Sequence, residues 1–432
     1  MNARETALAL LGRWSRTRHL ADELLEDQLA NTRLSPADRA LTTELFYGCL
    51  RQKLALEFLI TQYVAKPPRP LVTNILRLGF YQLAFMRTPP HAAVNETVAL
   101  AKNRAHPAEA KFVNAVLRQA ASANLTAALK NAEPWVRYSH PRWLWDRWRE
   151  RWGEPDTTAL CEWNNQPPPV YVRLNTLRSL DGRPPLQPSS VPPSGPQEFA
   201  PPVGIHAEPS ALHPLCWRVV EPAALFTSPA WANGEFYVQD PSTLIAVDVL
   251  DPQPGERLLD MCAAPGGKTT YIAQKMQNRG QIIAADSSGS RLGRVAENCR
   301  RLGVEIVATL ACEGTRLGRC LRGERFDRVL LDAPCSNTGV MRRRPDLRWR
   351  VDGPEIARLA TRQSKLLGQA AEFVKSGGVL VYSTCSLEQE ENERVVEGLI
   401  GSHADVRLET TRSVLPPRDG CDGAFVARFA KH

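Results

Sequence analysis

From about residue 236 onwards the chain alternates short, continuously apolar runs with helical stretches. RLLDM (257–261), QIIAAD (281–286), GVEIVATL (303–310), FDRVLLDA (326–333) and GGVLVYST (377–384) read as strands, and 290–302 and 354–375 as two of the helices between them. A strand with one wet face alternates polar and apolar residues. A strand that is apolar throughout is covered on both faces, as crossover helices cover a parallel sheet. The pattern predicts an open α/β sheet, with AFVARFA (424–430) as a late, antiparallel strand. In such sheets the ligand lies beyond the carboxyl ends of the strands.

Residues 1–130 carry no strand pattern. Ser35, Pro36 and Asp38 form a helix start, after which Leu41, Leu45 and Cys49 recur on one face. Leu71, Ile75, Leu78, Tyr81 and Phe85 follow at helical spacing, between Pro67-Pro68 and Pro89-Pro90. VNETVALAKNRA and EAKFVNAVLRQA read as two more helices, so a small helical bundle is predicted. Residues 134–152 hold five tryptophans and five arginines. Trp145, Trp148 and Trp152 share a helical face suited to interdomain packing, and the interleaved arginines leave nucleic acid contact open. Residues 181–202, dense in proline, serine and glycine, read as a linker or long loop.

The strand ends carry the chemistry. Residues 260–270 read DMCAAPGGKTT, whose Gly-Lys-Thr ending suggests a phosphate loop. That loop needs glycine where Cys262 stands, and Pro265 has no amide hydrogen to give a phosphate. The second strand ends at Asp286, twenty residues after Gly266. A small-residue turn with an acid at that distance indicates an adenosine-bearing ligand, the carboxylate taking the ribose hydroxyls. Asp332, Pro334 and Cys335 end the fourth strand, and Cys385 ends the fifth. Each cysteine taken singly reads as a buried structural thiol; two at neighbouring strand tips suggest nucleophilic chemistry. Residues 316–350 hold ten arginines against Glu324, Asp327, Asp332 and Asp346, a local charge of +6. Arg342, Arg343 and Arg344 follow the Cys335 loop directly, where a nucleic acid backbone would need charge; a solvated surface is the other reading.

Composition narrows the class. None of the ten cysteines forms a Cys-x-x-Cys pair, so neither a metal site nor a disulfide scaffold is expected. No run approaches the roughly 18 apolar residues of a membrane span, and the N-terminal apolar run is short for a signal peptide, so the cytoplasm is the expected compartment. The net charge of +8 favours a polyanionic partner.

Three of these motifs, DMCAAPGGKT, DAPCSNTG and YSTCS, resemble those of the Sun-type S-adenosylmethionine-dependent RNA cytosine-5 methyltransferases. NNQPPPVYVRLNT (164–176) and FYVQDPST (236–243) resemble the segments preceding that catalytic domain. Residues 1–125, HAAVNETVALAKNRA and KFVNAVLR above all, resemble a NusB-type helical RNA-binding domain. The resemblance covers nearly the whole chain apart from the proline-rich stretch. It implies a multidomain chain: an all-α NusB-like bundle (1–130), a linking region with the Trp/Arg-rich helix, a small α/β segment and the proline-rich insertion (131–235), and an α/β Rossmann-like methyltransferase domain (236–432). It implies S-adenosylmethionine held by Cys262, Ala263, Ala264, Pro265, Gly266, Gly267, Lys268 and Asp286, with Asp332 bordering it. Glu313, in ACEGTR, stands where the family has an aspartate near the adenine. The family's catalytic cysteine falls on Cys385, its cysteine for product release on Cys335, and its base-holding aspartate on Asp332. The implied substrate is ribosomal RNA, 16S in particular. Another RNA such as transfer RNA, and a non-catalytic role in ribosome assembly, are the alternatives, the second opposed by two intact cysteine motifs. A monomer without a membrane partner is expected.

Overall fold

The structure, a computed structural model, describes residues 2–178 and 204–432; the proline-rich stretch 181–202 lies outside the described residues. Two compact units emerge: Met1–Pro167 with Met341–Arg350, and Pro168–Val340 with Val351–His432. The expected boundaries at 130 and 235 therefore shift. The Trp/Arg-rich helix Arg142–Asn165 joins the helical unit, and the segment from Pro168 joins the α/β unit.

Among its described residues the first unit contains helices and connecting turns but no strand. Ser35 caps helix Pro36–Arg51 by accepting from the Asp38 amide, with Pro36 at its first position. Pro70, Pro90 and Pro107 each open a further helix, so these prolines begin helices as well as ending them. The apolar faces of these helices meet in one core that includes Leu10, Leu45, Phe46, Leu56, Ile75, Leu78 and Phe80. Trp145 and Trp148 are buried in this unit; the Trp145 ring stacks on Tyr138 at 6.0 Å and Trp148 packs 5.8 Å from His140.

Residues 341–350 come from the middle of the α/β sequence, yet they pack within the helical unit. Their anchor is Arg348, wholly buried. Its guanidinium donates to the carbonyls of Arg51 (3.2 Å), Ser139 (3.1 Å), Asn164 (3.1 Å) and Met341 (3.5 Å) and to Asn165 Oδ1 (2.9 Å). All five acceptors are neutral. Burial, and then the positive Arg51, push its pKa down to about 9. The Trp349 indole donates to the Leu50 carbonyl at 2.7 Å beside it.

Among its described residues the second unit holds eleven strands. A small antiparallel sheet holds β1 (Val170–Leu174), β2 (Ala207–Pro209), β3 (Cys216–Val219) and β4 (Phe236–Val238), in the order β2-β3-β1-β4. The large sheet holds β5 (Arg257–Asp260), β6 (Gln281–Asp286), β7 (Val307–Ala311), β8 (Phe326–Asp332), β9 (Val374–Thr384), β10 (Val406–Val414) and β11 (Ala424–Lys431). Its order is β10-β11-β9-β8-β5-β6-β7. Strands β5 to β9 run parallel, and β11 pairs antiparallel with β9, as the apolar pattern predicts. Alternate residues serve opposite faces: Leu258, Ile282 and Leu330 enter one core, and Leu259, Val329 and Leu331 the other. The result is a Rossmann-like α/β fold whose strand order reverses between β5 and β8, the switch point at which open α/β sheets form a ligand crevice beyond their carboxyl ends.

Replacing Arg348 by methionine should leave four carbonyls without their donor in a dry site, costing about 2–4 kcal/mol. Thermal unfolding followed by tryptophan fluorescence, which the helical unit dominates, should show an earlier transition. An unchanged midpoint would mean that the carbonyl cage contributes nothing.

Candidate active site

The crevice is lined from both sides of the reversal. On the β5 side the chain leaves Asp260 and turns through Met261–Gly266 into helix Gly267–Lys275. Ala263 donates to the Ala285 carbonyl (2.9 Å) and Gly266 to the Ala263 carbonyl (2.8 Å), which closes the turn. Gly266 has φ +103°, and a Cβ there would lie 3.2 Å from the Val295 backbone, so only glycine fits. Arg173, on β1, fixes the turn from behind. This buried guanidinium donates to the Gly267 carbonyl (2.8 Å) and the Thr270 hydroxyl (3.1 Å). It sits over the rings of Tyr271 and Tyr237.

Asp286 ends β6 beside the turn. One carboxylate oxygen accepts from the Ala264 amide (3.3 Å) and the other from Ser288 (3.0 Å), with Arg291 3.7 Å away. The acid predicted from spacing thus meets the small-residue turn it was paired with. Glu313 lies just past β7, the strand next to β6; it is exposed and paired with Arg316 at 3.5 Å.

Asp260 is buried, with Oδ2 accepting from the Thr269 hydroxyl (2.7 Å) and Oδ1 without a partner. Burial pushes its carboxyl up to about 7, with the Thr269 bond opposing and the negative Asp332 adding. Lys268 reaches across the reversal and donates to Asp332 Oδ2 at 2.7 Å. Burial alone would lower the lysine's pKa, but the Asp332 carboxylate raises it overall, so the ammonium persists.

On the other side, Cys335 and Cys385 meet. Strands β8 and β9 pair in register, Asp332 opposite Ser383, and each cysteine stands just beyond its strand. Their sulfurs are 3.4 Å apart. The Cys385 thiol also donates to Asn337 Oδ1 at 3.0 Å, while Asn337 Nδ2 donates to the Cys335 carbonyl at 2.7 Å. The hydrogen bond with Cys385, together with burial, holds Cys335 well above the usual thiol range. Cys385 is the more open of the two. Gly339 lets these loops close up: a Cβ there would lie 2.8 Å from the Cys385 carbonyl.

The structure therefore brings Cys335, Cys385, Asp332 and Lys268 to one crevice with the 262–267 turn and Asp286. Of the three arginines predicted for RNA contact, Arg342 departs from the expectation. Arg342 is buried in the helical unit, donating to the Pro167 carbonyl (2.8 Å) and lying 4.2 Å over the Trp163 ring. Arg344 pairs with Asp22 at 2.7 Å, and Arg343 is half-buried in the same segment. An arginine that is itself buried and bound to a backbone carbonyl is structural, and sequence alone cannot tell it from one awaiting a phosphate. Sequence reasoning missed Arg173, Asn337 and Glu391. Glu391 sits in the acidic run EQEENE, which reads like the charged start of a surface helix.

Comparison with known proteins places these features. Residues 247–430 match the family model described as 16S rRNA methyltransferase RsmB/F, residues 1–122 the NusB family, and residues 140–180 an RsmF/B-like ferredoxin-like domain. The chain is 31% identical to the probable ribosomal RNA small subunit methyltransferase B of Bacillus subtilis (strain 168), over 100% of this chain and 99% of that one. It is 37% identical to ribosomal RNA small subunit methyltransferase B of Serratia proteamaculans (strain 568), over 92% of each. Among solved structures it resembles NSun6 from Pyrococcus horikoshii with SFG, an S-adenosylmethionine analogue: TM-score 0.54, 26% identity, 67% of this chain and 98% of that one. Among the described residues, no helix is long and apolar enough to cross a membrane.

The buried Asp260 generates a pH prediction. Between the usual 3.8 and about 7 the folded chain holds a proton that the unfolded chain has lost. The carboxyl's contribution to stability is thus present below the usual value and is lost as pH rises through about 7. Asp260→Asn keeps an acceptor for Thr269 and cannot ionise. Its stability relative to the parent, followed by calorimetry, should rise between about pH 5 and pH 8. A difference independent of pH would show that the site tolerates the charge.

Proposed function

Since the chain belongs to the RsmB/F family of 16S rRNA methyltransferases, we propose that it methylates carbon 5 of a cytosine in small-subunit ribosomal RNA. The observation that carries this reading is the pair of thiols, 3.4 Å apart, at the ends of β8 and β9, with the Lys268–Asp332 pair in the same crevice. Carbon 5 of cytosine is a poor nucleophile. A sulfur attacking carbon 6 makes it an enamine carbon, and a second sulfur beside the first suits reversal of that bond.

The residues also fit S-adenosylmethionine. Gly266 permits close approach to the turn, Asp286 offers a carboxylate suited to ribose hydroxyls, and the exposed Glu313 lies past the next strand. When bound, the cofactor supplies an electrophilic methyl on a sulfonium. Cys385 attacks carbon 6 as the thiolate, forming a carbon–sulfur bond. As the C5–C6 double bond opens, its electrons move towards N3, which takes up the proton that Cys385 released. Asp332, oriented by Lys268, accepts a hydrogen bond from the resulting N3–H. After methylation the carbon 5 proton passes to solvent water, its bonding electrons re-form the C5–C6 double bond, the carbon–sulfur bond breaks and Cys385 leaves with the electron pair. Cys335, kept protonated, shares its hydrogen with the departing sulfur. The target cytosine must be unstacked to reach such a crevice, which favours a loop or bulge. The NusB-like unit supplies RNA docking, a role supported by its family match.

Removing the nucleophile prevents the covalent adduct, whereas removing a group needed after bond formation accumulates it. Cys385→Ala should lose methyl transfer by about a thousandfold or more and form no adduct. Cys335→Ala should stay tied to methylated RNA as a band surviving denaturing electrophoresis. A band from Cys385→Ala and none from Cys335→Ala would reverse the two roles. Calorimetry should show S-adenosylmethionine binding that weakens in Asp286→Ala; ATP binding in its place would remove the cofactor assignment.

A further inference from the structure

Beneath the two cysteine loops lies a carboxylate that the reaction above does not use. Glu391 is fully buried. Its Oε1 accepts from the Ser336 amide (2.8 Å) and from Gln363 Nε2 (2.9 Å). Its Oε2 accepts from the hydroxyls of Ser336 and of Ser386, the latter at 2.5 Å. Ser336 follows Cys335 and Ser386 follows Cys385. One carboxylate therefore grips the residue after each thiol. Its own backbone is fixed as well, since the Tyr382 hydroxyl donates to the Glu391 carbonyl at 2.6 Å. Gln363 also donates to the Pro334 carbonyl at 2.9 Å, so the Cys335 loop is bound to this centre at Pro334 and Ser336. Asn392, next in sequence, completes the grip on the Cys385 loop. It accepts from the Thr384 hydroxyl (2.6 Å) and donates to the Ser386 carbonyl (2.9 Å).

The strand pairing ends at Asp332 and Ser383, so the 3.4 Å separation of two sulfurs in the loops beyond depends on ties outside the sheet. A buried carboxylate with four donors can, because moving either loop would strand a desolvated acceptor. We propose that Glu391 is a positioning residue that sets the distance between Cys335 and Cys385, and that the reaction depends on this distance while cofactor binding does not. Glu391 touches neither base nor cofactor; it acts through Ser336 and Ser386. The consequence for the reaction rests on the methyltransferase reading above, but the geometric claim does not.

The geometric claim can be read without RNA. Dithiodipyridine reacts with a thiolate, which displaces one thiopyridone and leaves a mixed disulfide. A second thiolate in reach then displaces the other thiopyridone and forms a protein disulfide. Two thiols are oxidised and the reagent is reduced to two thiopyridones. Peptide mapping of the full chain should find Cys335 joined to Cys385 in the parent protein. In Glu391→Ala this cross-link should form at least about tenfold more slowly, with mixed disulfide persisting on Cys385. Glu391→Gln is nearly isosteric; its oxygen can face the Ser336 amide and Gln363 while its amino group donates to the two hydroxyls. It should cross-link within about threefold of the parent. In the methylation assay, Glu391→Ala should lower kcat by about tenfold or more and leave KM for S-adenosylmethionine near the parental value. If Glu391→Ala does not fold, Ser386→Ala, which removes a single donor, carries the same two measurements. Unimpaired cross-linking overturns the proposal, as does lost cross-linking with unchanged kcat or with an equal loss of cofactor affinity. If the parent protein fails to methylate RNA, the methyltransferase reading fails, and the cross-linking rate alone decides the role of Glu391.

Discussion

Strands β8 and β9 are parallel neighbours with Asp332 opposite Ser383, and the site depends on that register. Parallel neighbours end at the same edge of a sheet, so the residues just past them must meet. Cys335 and Cys385 lie fifty positions apart in the chain, yet the pairing brings their loops together, and their sulfurs are 3.4 Å apart. The reversal of strand order places β5 on the other side of β8. Lys268, on the helix that follows β5, then reaches Asp332 at 2.7 Å. A shift of one residue in the β8–β9 pairing would turn the strand faces over and separate the groups.

Charge is distributed around the thiols to match. Lys268 and Asp332 form a half-buried ion pair on the side nearest the turn. The Glu391 carboxyl lies beneath, its pKa raised by burial against the donors that hold it. Cys335 is the more enclosed thiol and stays protonated, while Cys385 is the more open. One cysteine is thus suited to attack and the other to hydrogen-bond the departing sulfur.

Much of this was legible in the sequence because it follows from periodicity and spacing. The apolar runs located β5 to β9 and β11, and the strand-end motifs brought the turn, Asp286, Asp332 and both cysteines to one edge. The edge strand β10 was missed because VRLETTRSV is mostly exposed and polar, so it lacks the apolar run that marks its neighbours. A small α/β segment was expected within 131–235, but its individual strands, only three to five residues long, are too short to show a pattern. Arg342 and Arg348 read as surface charge, yet they are held by carbonyls of the helical unit, acceptors that leave no trace in side-chain composition. Glu391 was invisible for a related reason: its partners are two serines, a glutamine and an amide, all common in loops.

The central claim is that the methyl group goes to carbon 5 of cytosine after sulfur adds at carbon 6. Small-subunit RNA carrying tritium at carbon 5 of its cytidines tests it most directly, because methylation there must expel the label. The account predicts tritium released to water in equal number to methyl groups transferred, and neither event in Cys385→Ala. Methyl transfer that leaves the tritium in place would put the new carbon elsewhere on the RNA and contradict the account.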